Sequence, residues 1–368
     1  MSTRNVGDMG LLRFEEAYFE RLWGGSRLAA LYGKPLPERA PIGEAWMVSD
    51  HAACESVVSL GPFAGQSLRK LIETAPAAIL GARPQLTRFG RFPLLLKLID
   101  AEDVLSVQVH PDDATAARLN EPDVGKTEMW HVLDAAPGSP IFCGLHSGTT
   151  HERFAAAIAD GTVQDLLTRF DARADMTVFV AAGTVHAIGA GIVLAEIQQN
   201  SDLTYRCHDW GRVDSNGCPR TLHIEKSIEA ARFDPWRGGP AQTLTYTRDN
   251  ATIEVLGACH YFAGEAVAVN GAYHRVTGGE SFHILLVKAG ALLVRAGADE
   301  AAIRPGEAVL IPGCRERFDI EGDGIVLDYY VPDLGRDIVA PLRDAGYDRD
   351  AILCLGGDPA SSDLARIA

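Results

Sequence analysis

Through the first 210 positions the apolar residues fall in short runs, each closed by Gly, Pro or a polar cluster: AWMVSD, ESVVSL, FPLLLKLID, VLSVQVH, TEMWHVLDA, PIFCGL, MTVFVAAG, GIVLAEIQQ and LTYRCHDW. Runs of this length and composition predict strands. Helical spacing interrupts them at about residues 65–85, 112–120, 150–173 and 221–233, as in THERFAAAIADGTVQDLLTRFDA, where Thr149 and Glu152 have the spacing of a capping box. A Pro/Gly-rich stretch, DPWRGGPA, then suggests a boundary.

Beyond it a second β series begins, with ESFHILLVKAGALLVRAG and AAIRPGEAVLIPG giving a strand, a Gly turn, a strand and a Pro-Gly turn. The first half repeats that cadence in MTVFVAAGTVHAIGAGIVLAEI. The expected architecture is mainly β, with two cupin-type jelly-roll barrels and helical insertions in the N-terminal half. Residues 1–235 form the expected catalytic cupin domain and 240–334 a metal-free C-terminal jelly roll. The tail, 335–368, mixes short helical pieces with loops and carries no assignable chemistry.

Composition narrows the function. With 34 Lys and Arg against 49 Asp and Glu, the chain carries a formal charge of -15, which argues against nucleic acid or an anionic membrane as a partner. Any phosphate must be caught by a local cluster of cations. Seven cysteines without a CxxC pair, and a start lacking an apolar signal segment, suggest a cytoplasmic protein with reduced thiols. No apolar run approaches the ~20 residues of a membrane span.

The candidate chemistry lies in LSVQVHPDDATAARLNEPDVGKTEMWHVLD, residues 105–134. Alternate side chains of a strand share a face, so Gln108 and His110 point one way from one strand, as do Lys126 and Glu128 from the next. His110 and Glu128 are two metal-ligand types, His186 sits in a Gly-rich turn, and Gln108 completes a possible set. Taken singly, each is equally a hydrogen-bonded core residue. Glu196, Gln198, Asn200 and Asp202 alternate ahead of Arg206, either as one polar face of a site or as the wet outer face of a strand. Lys97, inside an apolar run, needs a carboxylate, a phosphate or an escape to solvent, because an unpaired buried ammonium costs several kcal/mol.

Four motifs in order, GEAWMVSD, FPLLLKLIDAEDVLSVQVHPDD, GKTEMWHVLDA and AAGTVHAIGAGIVLAEIQQNSDLTYRCHDWGR, resemble the type I phosphomannose isomerases, especially the short bacterial form. The resemblance runs from about Leu22 to Val331. It implies one Zn²⁺ held by Gln108, His110, Glu128 and His186, an active-site arginine at Arg206, and further active-site residues at Lys126 and Asp202. It also implies interconversion of mannose 6-phosphate and fructose 6-phosphate. That chemistry requires a base and something to stabilise an enediolate. Arg206 is expected to stabilise the enediolate, Lys126 to handle the phosphate or a proton, Lys97 to assist with the phosphate, and Asp202 or Glu196 to serve as base. Two other readings compete: an Fe(II) cupin oxygenase, and a non-catalytic sugar-phosphate-binding cupin. Oligomeric state is not legible.

Overall fold

The computed structural model describes residues 9–213, 216–233, 239–357, 359 and 362–368. The chain is mainly β, its sheets antiparallel, and its described residues cluster into two compact units. One comprises Met1–Ala17, Trp46–Leu96 and Gln242–Ala368; the other comprises Tyr18–Ala45 and Lys97–Ala241. Part of the expected boundary, residues 234–238, lies outside the described residues. Among the described residues no helix is long and apolar enough to cross a membrane.

The second unit takes its strands from two sheets. The larger has the strand order Ala17–Gly25, Ile42–Val48, Leu94–Ala101, Ile192–Gln199, Glu128–Ala135, Thr177–Val180. The other has the order Tyr205–His208, Val107–Val109, His186–Ile188, Pro140–Leu145, Leu167–Asp171. Leu94–Ala101 and Ile192–Gln199 are buried at every position, which is why they read as continuous apolar runs rather than alternating ones. One core lies between the sheets, with Trp130, Val132 and Leu194 from one meeting Ile141 and Ile188 from the other. A second covers the smaller sheet, where Phe154 and Ile158 of the helix His151–Ala159 pack with Val107, Val109 and Tyr205. Burying each such large apolar side chain stabilises the fold by about 1.5–3 kcal/mol.

Three expectations about the helices need correction. The helix expected over 150–173 ends at Ala159: Gly161 takes φ 71°, Val163–Leu166 form a 3₁₀ turn, and Leu167–Asp171 pair with Pro140–Leu145 as a strand. Its cap is Thr150, whose hydroxyl accepts from the Arg153 N–H, whereas the Thr149 hydroxyl donates to the His146 carbonyl. A helix also forms at Arg27–Tyr32, outside the expected positions. It is seeded by the Asp100 carboxylate accepting from the Arg27 N–H at 2.6 Å and closed by Gly33 at φ 64°. Elsewhere the helices fall within their expected ranges, at Leu68–Thr74, Pro76–Leu80, Asp113–Arg118 and Ile224–Ala230.

The first unit carries a seven-stranded antiparallel sheet. Its order is Leu244–Arg248, Ala251–Ala258, Ala263–Val276, Arg317–Tyr330, His283–Ala296, Asp299–Ile303, with Ala308–Ile311 also pairing with His283–Ala296. Its core includes Val255, Val267, Leu285, Val294, Ile320 and Val326. The tail joins this core through Leu342, Ile352, Leu355 and Leu364, so it is packed structure. His283 is buried there against Asp328, 2.8 Å from Oδ1.

Candidate metal centre and active-site cleft

Sheet register assembles the centre from residues far apart in sequence. In the five-stranded sheet Gln108 is directly opposite Arg206 on one side and His186 on the other, so these three side chains stand in a row on one face. Glu128 comes from the other sheet, where it lies opposite Val180 and Gln198, and Glu196 lies opposite Trp130. Gln108 and Glu128 therefore belong to facing sheets, not to neighbouring strands as the spacing suggested. His110 follows the Val107–Val109 strand and Lys126 precedes Glu128–Ala135, yet both turn toward the same space.

His110, Glu128 and His186 are fully buried, with their ligand atoms all within 4.8 Å of one another. Each imidazole is oriented by a backbone carbonyl: His110 Nδ1 donates to Leu203 O at 2.7 Å and His186 Nδ1 to Thr184 O at 2.9 Å. That tautomer turns each Nε2 lone pair toward Glu128, 3.6 Å from His110 and 3.3 Å from His186. Burial drives both imidazoles toward the neutral, ligating form, His186 down to about 3. Glu128 is buried too, but the Lys126 ammonium beside it outweighs that cost and holds it ionised well below its ordinary range. Glu128 Oε1 has no hydrogen-bond partner. A buried anionic oxygen without a donor, between two neutral imidazoles, is a donor set that suits a borderline divalent cation. Gln108 completes the row, its amide nitrogen 3.3 Å from His186 Nε2.

Beside this centre opens a cleft of about 330 Å³. Its basic lining residues are Arg21, Lys97, Lys126, Arg206 and Arg220; its acidic ones are Glu44, Glu196 and Asp202. Lys97, the buried lysine of the apolar run, has its Nζ 3.6–3.8 Å from Asp202, Glu44 and Glu196. Lys126 Nζ is 2.6 Å from Glu128 and 3.7 Å from Glu196. Glu196 is 3% exposed, so the wet-face reading of its strand is excluded there. The strand ends at Gln199, and Asp202 lies beyond it, half-exposed at the cleft. Burial pushes the Glu196 carboxyl up to about 7 despite Lys126 and Lys97, and Trp130 Nε1 donates to its Oε2 at 3.0 Å.

Sequence reading missed four residues. Arg21 and Glu44 form a two-pronged ion pair along the cleft wall, both contacts 3.0 Å. Arg220 lines the cleft from a segment with no motif of its own. His223 accepts the Arg206 backbone N–H at Nδ1 and so fixes the Arg206 strand. Only the HIEK context near a helix start hinted at order there.

Comparisons with known proteins agree with this geometry. Residues 11–128 match the catalytic domain of phosphomannose isomerase type I, and 252–331 the mannose-6-phosphate isomerase cupin domain. A putative mannose-6-phosphate isomerase of Bacillus subtilis is 33% identical over 82% of this chain and 93% of its own length. The mannose-6-phosphate isomerase of Streptococcus mutans is 34% identical over 83% and 93%. The crystal structure of the Bacillus subtilis mannose 6-phosphate isomerase superposes with a TM-score of 0.79 at 31% identity, covering 87% of this chain and 99% of that one. Motifs, fold and relatives converge, and the chain belongs to the type I mannose-6-phosphate isomerase family.

Proposed function

We propose that the chain interconverts mannose 6-phosphate and fructose 6-phosphate, using one zinc ion held by Gln108, His110, Glu128 and His186. The observation that carries this reading is the buried His110–Glu128–His186 cluster, with its orphaned carboxylate oxygen, opening onto a cleft that holds Glu196, Lys126 and Arg206. When bound, zinc supplies Lewis-acid polarisation of the oxygens at the sugar's reacting end.

The chain's own residues handle the protons. Isomerisation moves a proton from C2 to C1 and another from the C2 hydroxyl to the C1 oxygen, so composition is unchanged and no redox partner is needed. Glu196 is the base: it is buried, fixed by Trp130, and titrates near neutrality, where a carboxylate can both take and return a proton. Asp202, half-exposed and close to Lys97, supports the charge balance of that end. Lys126 is held as an ammonium between Glu128 and Glu196 and donates to the sugar oxygens. Arg206 stabilises the negative charge of the enediolate. The thiols are free, which fits a reducing, cytoplasmic setting.

An isomerase assay on mannose 6-phosphate, with metal content measured on the same sample, tests this directly. Turnover that tracks bound zinc supports it; zinc-loaded protein without turnover removes it.

A further inference from the structure

The charge of the cleft is uneven, and the unevenness bears on which end of the substrate goes where. At the inner end two ammonium groups stand among four carboxylates: Lys97 beside Glu44, Glu196 and Asp202, and Lys126 beside Glu128 and Glu196. Arg21 is taken up by Glu44. Each of those cations already has a carboxylate partner, so none is left over for a phosphate dianion. Lys97 and Lys126, the sequence's candidates for the phosphate, are thus already compensated.

The Arg206 wall has the opposite balance. Arg206 Nη1 donates to the Thr221 carbonyl at 3.0 Å, its Nε is buried without a hydrogen-bond partner, and among the described residues it pairs with no carboxylate. Arg220 gives Nε to Asp209 Oδ2 at 2.7 Å and Nη2 to Oδ1, which leaves Nη1 unengaged among the described residues. Asp209, itself buried, also receives Arg212 Nη2 at 2.6 Å. Two carboxylates, Asp209 and, 3.9 Å from Arg212 Nη1, Asp103, thus serve this group of three guanidiniums, two of which face the cleft. Like charges so placed repel, and burial together with Arg220 and Arg212 makes the Arg206 cation less favourable than usual. An anion at this wall relieves that repulsion. Ser106 and Thr204 line the same cleft and supply hydroxyl donors.

We infer that Arg220, aimed by Asp209, is the residue that anchors the substrate's phosphate. Arg206 stands between that anchor and the metal centre, being register partner of Gln108 and electrostatic neighbour of Arg220. The phosphorylated end of the sugar then lies at the arginine wall and its reacting carbons at Glu196 and the metal ligands. This rests on the isomerase reading above for the identity of the sugar, but the anion site itself can be probed without turnover.

Two measurements on the metal-loaded protein test it, each with Arg220→Ala, Arg220→Gln and Arg220→Lys. In steady-state kinetics the Ala and Gln variants should raise KM for mannose 6-phosphate, and the inhibition constant of inorganic phosphate, by about tenfold to a hundredfold each, with kcat moving far less. Lys should recover part of the loss. In thermal melts, inorganic phosphate and mannose 6-phosphate should stabilise wild type more than mannose does, and that difference should vanish in the Ala and Gln variants. Variants that feel inorganic phosphate as wild type does would overturn the assignment, as would a wild type that inorganic phosphate neither inhibits nor stabilises. If wild type lacks turnover but its phosphate-dependent stabilisation is lost on Arg220 replacement, the isomerase reading fails and the anion site stands.

Discussion

Replacing Glu196 by Gln changes one charge in the cleft and little of its shape, since an amide oxygen can still accept from Trp130 Nε1, now 3.0 Å from the carboxylate. A general base matched to neutral pH contributes about 10²–10⁴-fold, and burial has brought this carboxyl from 4.5 to about 7. Glu196→Gln should therefore lower kcat for mannose 6-phosphate by that range, with a smaller change in KM. The pH profile adds a signature. The base form accumulates as pH rises, so wild-type kcat/KM should climb from about pH 5 to a plateau above about 7, and the variant's residual rate should lack that limb. Stability has the opposite sign. A carboxyl with a raised folded-state pKa keeps a proton that the unfolded chain has released, so its contribution to stability falls as pH rises between 4.5 and about 7. At about 1.4 kcal/mol per unit the loss is at most roughly 3 kcal/mol, so the metal-free Gln variant should be no less stable than wild type at alkaline pH. Rates come from a coupled assay across the pH range and stabilities from urea melts. A Glu196→Gln enzyme with near wild-type kcat and an unchanged acid limb would refute the assignment of Glu196 as base.

His110→Ala and His186→Ala should lose bound metal as measured by elemental analysis, and Gln108→Ala should lose less because a neutral amide is the weaker ligand; full occupancy in both His variants would remove them from the ligand set. Arg206→Ala should lower kcat by about 10²–10³ with metal retained, as for removal of one oxyanion-stabilising donor, and steady-state kinetics near wild type would exclude that role. Thr150→Ala removes the cap of His151–Ala159 and should cost about 1 kcal/mol in urea unfolding, whereas Thr149→Ala, lacking the cap bond, should leave that helix end intact.

The legible parts of the fold were those in which local pattern and tertiary burial agree. Leu94–Ala101 and Ile192–Gln199 lie in the interior of a sheet, buried on both faces, so largely apolar runs announced them. The polar interruptions in those strands, Lys97 and Glu196, were the residues that face the cleft. Spacing failed where two periods overlap. The helix-like pattern of the 150–173 stretch continues past Ala159 into residues that pair with Pro140–Leu145, and a left-handed Gly161 decides the boundary. ESVVSL likewise gives only the two-residue strand Cys54–Glu55 and isolated bridges at Val57 and Val58. The helix Arg27–Tyr32 was illegible because its first turn is held by Asp100, far along the chain. In the candidate site, His110, Glu128 and His186 stood in motifs, and the structure brings them together. Arg220 lay in no motif, and Glu44, though inside GEAWMVSD, had no spacing that marked its role, because what places them is an ion pair to Asp209 in one case and to Arg21 in the other.

The central claim is that a metal held by these ligands makes this cleft an isomerase. Stripping the protein with a chelator and titrating zinc back while following conversion of mannose 6-phosphate to fructose 6-phosphate tests it most directly. The stripped protein should be inactive, and activity should return linearly with a break at about one zinc per chain, as expected for a single ligand set. Full activity in the stripped protein, or activity that never returns while zinc binds to that stoichiometry, would contradict it.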